Sequence, residues 1–209
     1  EHPGVAHYLI HSFDYPELAG LALPAARVYA KLAPGSPHAL HMPSHIFTRL
    51  GLWDESITSN LASADKAHRY VESVLPGAAS FDELHAIDYL VYAYLQQGKD
   101  EEARRLVERT ARVVKIDNAN FAAAFAIGAV PARFALERKQ WKEAAALAVP
   151  TTIDWAQTPY AEANIHFARG VGGARSGDAT TARAAIDRLP AIRQALLDQK
   201  DGNLAYQVK

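Results

Sequence analysis

The chain contains no cysteine and a single methionine among its 209 residues. Disulfides, thiolate metal sites and cysteine nucleophiles are thereby excluded. A cysteine-free chain is viable in cytosol and periplasm alike, so those two compartments both stay open. Net charge is nearly absent too. Lys and Arg number 22 against 23 Asp and Glu, a formal charge of -1. A duplex-DNA binder carries a basic stripe, and anionic lipid attracts basic clusters, so neither nucleic acid nor membrane is an expected partner. No apolar run approaches the roughly 18 residues that span a bilayer, and a soluble protein is expected. The sequence also lacks a Gly-x-Ser-x-Gly elbow, a Walker loop, a dinucleotide fingerprint and a His-Glu-x-x-His string, and with them the chemistries they mark. Strand signals are nearly missing. There is no signal peptide. The chain opens at Glu1-His2-Pro3-Gly4 without methionine, and Asn203 to Lys209 shows no turn or cap signal. It reads as a piece of a longer protein whose leader could have been lost.

Helix formers and histidine are plentiful. Hydrophobic residues make up 49%, enough for a buried core and too many for disorder. A short pattern recurs four times: Gly51-Leu-Trp-Asp-Glu-Ser56, Gly98-Lys-Asp-Glu-Glu-Ala103, Lys139-Gln-Trp-Lys-Glu-Ala144 and Gly177-Asp-Ala-Thr-Thr-Ala182. A glycine at the turn can take a left-handed conformation and end a helix. The small residue five positions later lies one turn into the next helix, where two antiparallel helices approach closely. Acidic residues in that turn, such as Asp54 and Glu101, complement the helix dipole. The expected architecture is all-α, a single domain over 1–209 with hairpins at about 3–33, 37–74, 81–115, 119–149 and 160–199. Asp14-Tyr15-Pro16-Glu17 reads as the turn of the first hairpin, and Pro24 as a delayed start of its second helix.

The turn glycines Gly51, Gly98 and Gly177, the aromatics Trp53 and Trp141, and the small residues Ala103, Ala144 and Ala182 resemble the tetratricopeptide-repeat family. That resemblance implies a right-handed α-α superhelix of four to five hairpins, with a concave groove that binds a protein, a peptide or a small molecule. The segments His2-Pro-Gly-Val-Ala-His-Tyr-Leu-Ile-His11 and His41-Met-Pro-Ser-His-Ile46 also look like a bacterial group of tetratricopeptide-like proteins. That group has no settled activity and implies no particular chemistry.

Histidine is concentrated at one end. Six of the nine fall within the first 45 residues: His2, His7, His11, His38, His41 and His45. His7 and His11 are spaced i, i+4, as are His41 and His45, which puts each pair on one helix face. The two pairs are offset by 34 residues, the repeat length of the family. In the family's groove register, the first helices of the second and third hairpins present His38, His41, His45, Thr48 and Arg49, then His85, Asp88 and Tyr92. Imidazoles with a carboxylate are a ligand set for zinc, iron, manganese or copper. His7, His11, His41, His45 and Asp88 are the candidate metal ligands. His38, Thr48, Arg49, His85 and Tyr92 are candidates to line a ligand groove. A histidine is equally an ordinary interior residue when both ring nitrogens have partners.

Pro43 complicates the register. It either opens a helix at its first position, leaving His38 and His41 in a loop, or kinks a continuous helix and frees a carbonyl. His68 reads as a solvated surface residue and His166 as packing. Gly170, Gly172 and Gly173 follow no strand, so close helix packing explains them better than phosphate binding. Two functions remain open. One is a binding module with a histidine-lined groove. The other is a metal-binding protein or metalloenzyme, with a divalent transition metal as its cofactor. A bare scaffold, with the activity in missing parts of a longer chain, is the third possibility.

Overall fold

The computed structural model describes residues 2–208; Glu1 and Lys209 lie outside them. Among the described residues the chain is all-helical. The nearest approach to a sheet is an isolated parallel bridge between Ala79 and Ile116. Among the described residues no helix is long and apolar enough to cross a membrane. The chain divides into two compact units, Glu1–Leu106 with Lys115–Asp117, and Val107–Val114 with Asn118–Lys209.

The first unit contains α1 (Pro3–Ser12), α2 (Ala19–Leu32), α3 (Pro37–His41), α4 (Pro43–Arg49), α5 (Trp53–Val74) and α6 (Phe81–Gln96), and α7 (Asp100–Ala111) crosses the division. Ile10, Ala22, Ala26, Met42 and Ile46 form its core between α1, α2, α3 and α4. Pro24 lies inside α2 and does not open it. The carbonyl four residues earlier, which it leaves without a donor, belongs to exposed Gly20 in the first turn, where water can serve.

Pro43 meets neither sequence alternative in full. It opens α4, yet His38 and His41 sit on their own short helix, not in a loop. Met42 keeps helical dihedrals, φ -50 and ψ -37, so the chain turns on in the same sense past the missing donor. Two carbonyls of the interrupted stretch are taken by α5: Ser59 donates to Leu40 at 2.5 Å and Ser63 to Pro37 at 2.8 Å. Ser36 caps α3 by accepting from the Ala39 amide.

The recurring turn has one backbone signature. Gly51, Gly98, Lys139 and Gly177 all have positive φ, at 70, 68, 53 and 83°. The small residue that follows each, Ser56, Ala103, Ala144 or Ala182, is buried.

The second unit contains α8 (Phe121–Glu137), α9 (Trp141–Ala145), α10 (Pro159–Ser176), α11 (Ala179–Asp198) and α12 (Gly202–Gln207). α10 packs against α8, α9 and α11, and glycines permit the approach. A Cβ on Gly172 would lie 2.6 Å from the Trp141 carbonyl oxygen, and one on Gly173 would lie 2.7 Å from the Ala182 amide. α9 ends at Ala145, short of the expected 149. The C-terminal segment holds a capped helix that the sequence reading did not expect: Asp201 accepts from the Leu204 amide and starts α12.

Candidate metal centre

The site is a row of imidazoles in the first unit. Consecutive ring centroids are 5.1 Å apart for His38–His7, 4.6 Å for His7–His11, 6.2 Å for His11–His45, 4.9 Å for His45–His41 and 4.3 Å for His41–His85. Helical spacing places His7 above His11 on α1 and His41 beside His45 across the α3–α4 break. His38 comes from the first turn of α3, and His85 from α6. Within the row, ligand-capable nitrogens converge in two triads, His7–His11–His38 and His41–His45–His85, each with its three atoms within 4.8 Å of one another.

Two rings of the inner triad, His41 and His45, have defined tautomers. Asn60 donates its amide to the Ser56 carbonyl at 2.9 Å, so its Oδ1 faces His41 Nδ1, 2.7 Å away. His41 therefore carries its proton on Nδ1, and its Nε2 keeps a free lone pair. His45 Nδ1 lies 2.9 Å from Asp14 Oδ2 and donates to that carboxylate. Arg49 donates to the other oxygen of Asp14 at 2.8 Å. The Tyr89 hydroxyl stands 3.2 Å from the same His45 nitrogen. His45 Nε2 is thus also a lone pair, and the two Nε2 atoms face each other at 3.0 Å. Two lone pairs at that distance repel unless a cation lies between them. A proton on His45 or a metal ion would meet the need. Tetrahedral zinc with bonds of about 2.0–2.1 Å separates its nitrogen ligands by about 3.3 Å.

Burial disfavours the charged form of His41 and of His85. His41 is pushed well below the usual imidazole value by burial, then by His85 and His45. His85 falls to about 4, from burial first and then from His45, against the opposing charge of Asp88. Neutral imidazole is the ligating form. Burial pushes the Asp14 carboxyl up, but hydrogen bonds from His45 and Arg49 outweigh it and hold the group below its ordinary value.

The outer triad is open to solvent: His7 is half-buried, while His11 and His38 are exposed. His7 Nε2 and His38 Nε2 lie 3.0 Å apart. His38 is lowered by burial, then by His7 and His11, and His11 by burial, then by His7 and His45.

The remaining sequence candidates fall around this row. Asp88 is buried on α6 and belongs to neither triad. A carboxylate that touches an imidazole of the row is that of Asp14, 2.9 Å from His45 Nδ1, which the sequence reading used only as a turn residue. Tyr92 packs edge-on to Trp53, 5.6 Å between centroids. The Thr48 hydroxyl contacts that of Ser56 at 3.1 Å, a helix–helix contact. Arg49 is held by Asp14. His85 stands in the inner triad and His38 in the outer one. His68, read as merely solvated, is half-exposed and lies 3.3 Å from the buried Glu83 carboxylate. His166 is buried and lies 3.2 Å from Glu162, which also takes both hydrogen bonds of the Arg188 fork. Asn60 and Tyr89 were not singled out for the site, and no local motif marks them.

Compared with protein-family models, with curated proteins and with solved structures, the chain has no match.

Proposed function

We propose that this chain binds a divalent transition metal through His41, His45 and His85, carried on a scaffold of tetratricopeptide-like helical hairpins. The observation that carries the reading is the 3.0 Å approach of two imidazole Nε2 atoms whose Nδ1 partners are both acceptors. Histidine ligands of metals are typically oriented in this way, by a carboxylate or amide oxygen on the far ring nitrogen. Three imidazoles with no thiolate suit zinc, copper or iron better than manganese, which prefers carboxylates. Three protein ligands leave one position open, the arrangement of reactive rather than closed structural zinc sites. For the scaffold, the supporting observation is the positive-φ turn at Gly51, Gly98, Lys139 and Gly177, each followed by a buried small residue.

The reading is tested on untagged protein, stripped by chelator and titrated with Zn²⁺ in a calorimeter. One tight ion is expected, weakened at least about a hundredfold in His45→Ala and His85→Ala while helicity is retained. Uptake below about a tenth of an equivalent of zinc, copper or iron would remove the proposal.

A second reading has its own observation. A cleft of ≈ 400 Å³ is lined by Arg27, Leu40, Phe47, Glu55 and Thr58, among others. Leu40, Phe47 and Pro43 alternate with the histidines along α3 and α4, so this cleft lies on their opposite face. An organic or peptide ligand seated there would bind equally well to His45→Ala.

A further inference from the structure

We infer that the chain holds a second transition-metal site, formed by His7, His11 and His38 on the solvent side of the first, so that it carries two ions in unequal states of exchange. The inference extends the reading of the inner triad, and the two can fail separately.

Three observations carry it. First, the three ligand atoms lie within 4.8 Å of one another although they come from two separate helices, and His7 Nε2 stands 3.0 Å from His38 Nε2. Long-range convergence of like, potentially cationic side chains is unfavourable unless something uses them. Second, the helices that present them are anchored independently of any ligand. α1 buries Ile10 and Ala6 in the core, while α3 is capped by Ser36 and held by Ser63. The rings are thus placed before an ion arrives. Third, six imidazoles exceed the four positions of a tetrahedral ion. They also divide cleanly, since one ring contact, His11–His45 at 6.2 Å, joins the triads.

The two sites differ in what stands behind them. Two of the three inner rings, His41 and His45, are backed by Asn60 and Asp14. Among the described residues, none of His7, His11 and His38 has its other ring nitrogen hydrogen-bonded, and two of the three are exposed. Loss of such backing typically weakens a metal site by about 10–100-fold. The outer ion is therefore the weaker and faster-exchanging of the two. With imidazole as the sole ligand type, zinc or copper fits it best.

The test uses the full untagged chain, chelator-stripped and titrated with Zn²⁺ alone, with bound metal counted by elemental analysis after gel filtration at two free-zinc levels. The wild type should bind two ions per chain, one of them at least about tenfold more weakly. His7→Ala/His11→Ala should bind one ion, at the affinity of the tight wild-type site. His38→Ala, a single exposed change that leaves both α1 histidines in place, should also lose the weak ion. His45→Ala/His85→Ala should keep only the weak ion. A wild type that binds one ion, untouched by the α1 variant, would overturn the second site and leave the inner one standing. A single ion abolished by either double variant would mean one shared site, and would overturn it too. If the weak ion alone is found, and the α1 variant loses it, the inner reading fails and the outer site stands.

Discussion

The Nε2 atoms of His41 and His45 lie 3.0 Å apart, while the opposite nitrogen of each ring is held by Asn60 or by Asp14. Asn60 is fully buried and its amide is spent on α5's own backbone, so its oxygen has a fixed direction. Asn60→Ala removes the group that sets the His41 tautomer. It should weaken zinc binding about 10–100-fold and cost about 1–3 kcal/mol of stability, because His41 Nδ1 would keep only the long 3.5 Å approach of the Ser44 hydroxyl. Calorimetry and denaturant melts of the same sample separate the two effects. Unchanged zinc affinity in a folded Asn60→Ala protein would show that His41 is not a ligand.

The metal-free protein should lose stability on mild acidification. His85 has a folded value of about 4, and His41 lies well below 6.5, both from burial first. As pH falls below about 6.5, the unfolded chain takes up protons that the folded chain refuses. Stability is therefore greatest above that value and declines toward pH 4. His85 alone should account for about 2 kcal/mol between pH 7 and pH 5. Urea melts at the two pH values should show the loss, and His85→Gln should shrink it. Equal stability at both would contradict the buried neutral ring.

Gly173 and Gly170 lie on the same helix and should respond oppositely to alanine. Alanine is the better helix former by about 1 kcal/mol. At Gly170 the nearest atom to a new Cβ is 3.7 Å away, ordinary contact, so propensity should prevail and the protein should be slightly stabilised. At Gly173 the Cβ would lie 2.7 Å from the Ala182 amide and 2.9 Å from the Asp178 carbonyl oxygen. Backbone on both sides cannot yield, and overpacking of about 1–3 kcal/mol or more should outweigh the propensity gain. Thermal melts of the two variants give the comparison.

Lys139 is a non-glycine residue at φ 53° where the other recurring turns have glycine. Lys139→Gly should stabilise by up to about 1 kcal/mol, because a left-handed lysine costs about 1–2 kcal/mol and glycine returns part of that as chain entropy. Gly98→Ala should destabilise by a similar amount. A melt showing Lys139→Gly to be less stable would place an unrecognised contact on the lysine side chain.

The helices were legible because their stops are chemical. A turn residue able to take positive φ, followed by a small residue, is local information, and it located the turns at Gly51, Gly98, Lys139 and Gly177. Pro24 misled, since a proline near a helix start is read as the start itself; here the deprived carbonyl lies in the exposed first turn and tolerates the loss. The i, i+4 histidine pairs were visible, but their third members were read as groove-lining residues and not as ligands. His38 joins His7 and His11, and His85 joins His41 and His45, through helix packing that spacing cannot express. Asp14 sits in a turn and looks like turn chemistry. Its second role appears only when α4 brings His45 and Arg49 to its two oxygens. Asn60 is one polar residue on a long amphipathic helix, and nothing local distinguishes it from its solvated neighbours.

The most direct test of the central claim is X-ray absorption at the zinc edge on untagged protein loaded with one equivalent of Zn²⁺. The account predicts a first shell of nitrogen or oxygen at about 2.0–2.1 Å, with the outer-shell scattering of three imidazoles per ion. That imidazole signal should persist in His7→Ala/His11→Ala, and should be lost when His45→Ala/His85→Ala is added to that variant. A folded wild-type protein that takes up no zinc, or holds it without imidazole scattering, would contradict the account.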